Sequence, residues 1–193
     1  MQNMKYLLTV GIVLACLVLG AVIFAWSGIY NIAATEPHWG ITLSFIGMLR
    51  DRSIEVHSEG IQVPNLNEAK LKEIGFPHFH EMCRLCHGAP EYRPEEFAEG
   101  LYPSPPSMTS GSIQKALSDA EIYWIVKHGI KLTGMPAFGP THDEEQLWGI
   151  VAIAEEIPRM SPEQYRQMVK LTDTGGDRGH EHTHEKPEGE KGS

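Results

Sequence analysis

The chain is poor in cysteine: three in 193 residues, at positions 16, 83 and 86. Three thiols cannot build a disulfide framework, and Cys16 lies inside an apolar run, so Cys83 and Cys86 need an explanation of their own. Basic residues are outnumbered, 16 Lys and Arg against 25 Asp and Glu, for a formal charge of −9. That balance argues against nucleic acid, whose phosphates require a basic face. It suits a cationic partner or plain solubility. No stretch keeps a two-residue alternation, so little strand is expected. There is no internal repeat. No Ser-His-Asp set, catalytic carboxylate pair or phosphate loop stands out, and no catalytic residue is assigned.

Charge is absent from Tyr6 to Tyr30. About 20 apolar helical residues span a hydrocarbon core of about 30 Å, and Leu7 to Ala25 meets that length. Tyr6 at one end, with Trp26 and Tyr30 at the other, are rings of the kind that settle at membrane interfaces. Lys5 and the amino terminus are the only positive charges close by, which places the N-terminus inside and the remainder outside the cytoplasm. A cleaved signal has a shorter apolar stretch, so the run reads as an uncleaved anchor. Val13-Leu14-Ala15-Cys16 resembles a lipobox, which leaves lipidation at Cys16 as a rival. All these readings export the rest of the chain.

The expected organisation is an anchor over 1–30, a juxtamembrane region over 31–66, a helical domain over 67–171 and a disordered His-rich tail over 172–193. In the juxtamembrane region Ile41, Phe45, Met48 and Leu49 repeat at helical spacing. They would lie in the bilayer interface, with Arg50 and Arg52 reaching headgroups, or pack on the soluble domain. A helix is expected from Glu68 to Cys86, with Gly75 and Pro77 as candidate interruptions. A Gly- and Pro-rich loop follows to Pro106. Ser118 with Glu121, and Thr141 with Glu144, form capping-box patterns ahead of two apolar helical runs. Pro158 ends the second. Ser161 to Val169 is a further helix candidate. From Thr172 onward nothing can form a core.

Cys83-Arg84-Leu85-Cys86-His87 is a C-x-x-C-H sequence, the signature of covalent haem attachment. Two thiols three residues apart on a helical turn reach the two vinyl groups of one haem, and His87 then supplies an axial nitrogen. A zinc site usually has a second Cys or His pair at recognisable spacing, and no second cysteine pair exists. A redox dithiol would sit near a β-α-β pattern, also absent. The cofactor expected is one haem c, with its iron. Met135 in Thr133-Gly134-Met135-Pro136 is the leading sixth ligand, since Gly134 allows close backbone approach and Pro136 stiffens the loop. A thioether is a soft donor suited to haem iron. His128 and Met108 are the alternatives. His180, His182 and His184 form a tract able to take a divalent metal, or simply a solvated tail. His38, His57, His78 and His80 have no ligand spacing; His78 and His80 could contact haem from the preceding turn, but surface positions are expected for them.

Residues 67–158 resemble the class I cytochrome c family, an all-α fold. Gly75 and Phe79 match that family's glycine and aromatic ahead of C-x-x-C-H, and Met135 matches its Gly-Met-Pro loop. Leu147, Trp148, Val151 and Ala154 would face the closing helix toward the first. Ile153 and Ala154 depart from the pattern, standing where many members carry an aromatic. Ser27 to Trp39 and Gly100 to Pro106 are also similar to a group of bacterial, membrane-anchored monohaem cytochromes. The resemblance implies that a carbonyl among Pro103, Pro105 and Pro106 accepts the Nδ1 hydrogen of His87. It further implies a one-electron carrier rather than an enzyme. Such a carrier would sit in the inner membrane with its haem facing the periplasm, between a redox donor and an acceptor. The other functional reading is a sensing or catalytic haem subunit whose sixth ligand is displaceable.

Overall fold

The computed structural model describes residues 2–175. The chain divides into two compact units, Met1–Leu49 and Arg50–Ser193. The boundary falls within the second helix.

The first unit begins with α1, Gln2–Ser27. Among the described residues it is the helix long and apolar enough to cross a membrane, over Asn3–Ser27. Its aliphatic hydroxyls are satisfied internally: Thr9 Oγ1 donates to the Lys5 carbonyl (3.0 Å) and Ser27 Oγ to that of Phe24 (2.6 Å). Such self-satisfaction is what a hydrocarbon surround demands. Gly28, at φ +66°, ends the helix in the left-handed region. An aromatic group then folds the chain. Trp39 meets Phe24 at 5.9 Å and Tyr30 at 5.0 Å between ring centroids, and the Tyr30 hydroxyl bonds His38 Nδ1 (3.0 Å). Helix α2, Gly40–Ser58, follows. Ile41, Phe45, Met48 and Leu49 are exposed on it.

In the second unit α3 spans Ala69–His78 and continues through a π-helical turn, Phe79–Cys83, into α4, Arg84–His87. Pro77 does not break the helix. It removes one backbone donor, and the chain responds by widening the next turn rather than stopping. Short helices α5, Glu96–Glu99, and α6, Ser112–Ala116, punctuate the long loop. Helix α7 covers Asp119–His128, α8 covers Glu144–Glu156, and a 3₁₀ turn carries Pro158 over Ile157–Arg159. Helix α9 covers Pro162–Gly175, running beyond Val169. No strand occurs among the described residues, only one isolated bridge between Ala89 and Tyr92.

The Ser118–Glu121 capping box is formed as expected. The second box is not at Thr141. Asp143 and Gln146 make it reciprocally, both bonds at 2.9 Å. The Thr141 hydroxyl is used instead on the Phe138 carbonyl and on His142. Ser161 and Gln164 repeat the arrangement before α9.

Helices α3 and α8 cross at two glycines. A Cβ on Gly75 would fall 1.9 Å from the Gly149 carbonyl carbon, so the backbones touch. Phe76, Phe79, Leu147, Ile150, Val151, Ile153 and Ile157 are fully buried around that crossing. The crossing holds the C-x-x-C-H turn against the rest of the core.

Candidate haem site

Cys83 is buried at the end of the π-turn, Cys86 is half-buried one turn on, and both thiols are free. Burial, then the neighbouring Cys86, pushes the Cys83 thiol up to about 12. Burial also raises Cys86. Reactive dithiols show the opposite shift. Gly88, at φ +71°, ends α4 directly after His87.

His87 is buried, and its Nδ1 lies 2.8 Å from the Pro106 carbonyl. A carbonyl can only accept, so Nδ1 carries the proton. Burial lowers the His87 pKa, with the Pro106 bond opposing it, which keeps the ring neutral. Nε2 therefore retains a lone pair. Of the three prolines named above, Pro106 is the one that bonds His87.

Arg84, inside the motif, is held from three sides. Its Nε donates to the His80 carbonyl (3.1 Å), its Nη1 to Glu95 (3.1 Å), and its guanidinium stands 5.0 Å from the Tyr92 ring centre. The turn that carries the cysteines is thus tied to the loop that delivers Pro106.

Met135 lies in the loop between α7 and α8, half-buried and packed against the core. The loop is stitched back onto α7: Phe138 N–H donates to the Val126 carbonyl (3.1 Å) and Gly139 N–H to that of Lys127 (2.9 Å). Gly129, at φ +66°, has no room for a Cβ, which would come 2.8 Å from the Met135 oxygen. The other two ligand candidates are differently placed. His128 is exposed beside Trp124. Met108 is two residues past Pro106, with its sulfur 3.9 Å from Gln114 Nε2.

His78 and His80, expected at the surface, are half-buried because the helix that carries them is covered on that side. His78 meets His142 edge-on at 4.8 Å. His80 Nδ1 bonds the Tyr165 hydroxyl at 2.8 Å. Tyr165 is fully buried on α9, 5.2 Å from the Phe76 ring. It was not singled out from the sequence. The usable signal was Tyr165, Met168 and Val169 at i, i+3, i+4. Among the described residues no group of three or more His, Cys, Asp or Glu side chains could hold a metal ion. His180, His182 and His184 lie outside the described residues.

The family model for "Cytochrome C oxidase, cbb3-type, subunit III" matches residues 71–152. That segment contains the cysteine pair, His87, Pro106 and Met135. Residues 71–152 are a class I-like cytochrome c domain. The cytochrome domain implies covalent haem c and haem-based electron transfer with redox partners. No curated protein and no solved structure matches the chain. The residues present suit that group: two free thiols one turn apart, and a neutral, oriented histidine next to them. Haem supplies a metal centre that changes its charge by one electron.

Helix α9 begins ten residues after the matched segment. The resemblance lacks its customary aromatic at Ile153 and Ala154, and Tyr165 brings one against Phe76 from α9.

Proposed function

We propose that the protein is a membrane-anchored carrier of single electrons, with one haem c on the extracytoplasmic side. Cys83 and Cys86 hold the haem through thioethers, His87 Nε2 is one axial ligand and the Met135 sulfur is the other. The observation that carries this reading is the His87–Pro106 hydrogen bond. It fixes the tautomer and the ring plane of His87, as partners behind a ligating histidine do, and leaves Nε2 for iron. Met108 stands two residues past Pro106, in the loop whose carbonyl bonds His87 Nδ1, with its sulfur against Gln114. Met135 comes from a separate, rigid loop. With both axial positions filled the iron is closed to substrates, and only electron exchange is left. Helix α1 is the anchor. The matched family's name refers to a cbb3-type oxidase, and membership of such an oxidase complex is consistent with a tethered electron carrier.

Spectroscopy of the purified full chain tests the ligand set. The ferric form should show the weak far-red band of a sulfur–iron bond, and the ferrous form should resist carbon monoxide. Met135→His should remove the band and lower the potential, because a thioether favours the ferrous state. Met135→Ala should give high-spin iron that binds carbon monoxide quickly. Rapid carbon monoxide binding by the unmodified protein would replace the carrier reading with a sensing or catalytic one.

A further inference from the structure

The loop that carries Met135 is closed by one side chain. Thr133 Oγ1 donates to the Ile130 carbonyl at 2.8 Å and accepts from the Met135 N–H at 3.1 Å. Ile130 N–H in turn donates to the Met135 carbonyl at 3.2 Å. The hydroxyl therefore bridges the two ends of a six-residue ring and holds the backbone amide of Met135 itself.

The surroundings are shaped to keep this ring shut. A Cβ on Gly134 would come 2.8 Å from Leu101 Cδ2, so the backbone between Thr133 and Met135 lies flat on a neighbour. Leu132, at the tip, sits at φ +62° and is 87% exposed. A bulky side chain in the left-handed region is strained, and it gains no burial here in return. Such a conformation persists only where the rest of the structure over-determines it. The closure of the ring by Thr133 does that.

We infer that Thr133 is the positioning residue for the sixth ligand: its hydroxyl clasp keeps the Met135 thioether presented to the haem. This rests on the reading of Met135 as that ligand. Opening the clasp leaves the helices and the cysteine pair untouched but lets Met135 swing away. The effect is specific to the hydroxyl, which both donates and accepts.

The test uses full-length, haem-loaded protein. Thr133→Val keeps the shape and removes both hydrogen bonds. It should weaken the far-red band, lower the pH at which that band is lost on alkalinisation, and raise carbon monoxide affinity of the reduced form by about thirtyfold, the worth of two hydrogen bonds. Thr133→Ser should restore all three readouts. Thr133→Ala, which cannot overpack, serves the same comparison should the valine variant accumulate no haem-loaded protein. Leu132→Asn, which suits the left-handed region, should leave the readouts as they are. Thr133→Val and Thr133→Ala both behaving as the unmodified protein would overturn the inference while leaving Met135 in place. Leu132→Asn opening the site as Thr133→Val does would also overturn it. Retention of the band in Met135→Ala would bring down the ligand assignment and the clasp together.

Discussion

Single residues outside the haem motif bear much of the site's rigidity. Tyr165 is one. Its ring is enclosed by Phe76, His80 and Tyr92, and its hydroxyl has one fixed partner in His80. Burial raises its pKa, so the hydroxyl stays protonated. Tyr165→Phe should cost about 1 kcal/mol, one hydrogen bond. Tyr165→Ala should cost about 3–5 kcal/mol, the range for removing a buried aromatic. Urea midpoints of the haem-loaded protein measure both. His78 is another. Burial lowers its pKa, with His142 adding to the effect and Glu81 and Asp143 opposing it. The folded state therefore binds fewer protons there than the unfolded chain does. Its contribution is present above the ordinary value of 6.5 and is lost as the pH falls below it. His78→Phe should lessen the drop in urea midpoint between neutral and mildly acid pH. An unchanged drop would show that other groups set the acid limit.

Among elements, the α3–α8 crossing and α9 decide how the site is supported. Gly75→Ala places a methyl into the Gly149 backbone, which cannot retreat as a flexible side chain would. A loss of about 1–3 kcal/mol or more is expected from such overpacking, and the helix carrying the cysteines must shift with it. The measurement is the urea midpoint, together with the yield of haem-loaded chain. Truncation after Gly175 should leave the haem spectrum unchanged, because every contact described above lies before it. Truncation before Pro162 removes Tyr165 and should lower stability by at least as much as Tyr165→Ala. Equal stability of the two truncations would mean that α9 does not brace the haem-bearing helix.

The whole molecule combines an apolar first helix with a cytochrome c domain. If α1 is an uncleaved anchor, the purified protein should retain its first two dozen residues by intact mass and partition with membranes. A chain shortened at Ser27, or a lipid on Cys16, would refute that topology. Covalent attachment predicts that haem stays with the polypeptide through denaturing electrophoresis. Replacing both Cys83 and Cys86 with Ala should release it. The acidic surplus of the chain predicts that encounter with a cationic redox partner slows as salt rises.

Composition and local pattern were enough for the helical class, the apolar first helix and the C-x-x-C-H motif. Each depends on near neighbours in the chain, where periodicity and spacing are explicit. The Met135 loop was legible for the same reason, since Gly134 and Pro136 flank it. The choice of Pro106 among three prolines needed the fold, because a hydrogen bond across 19 residues leaves no trace in spacing. So did the move of the capping box from Thr141 to Asp143, where two adequate capping patterns competed and the Phe138 carbonyl took the threonine hydroxyl. His78 and His80 were placed at the surface because their partners, His142 and Tyr165, stand 64 and 85 positions away. Ile153 and Ala154 looked like a local departure in the sequence. Only tertiary packing could bring Tyr165 of α9 against Phe76, because burial is a property of what comes to lie against a residue, and distant chain decides that.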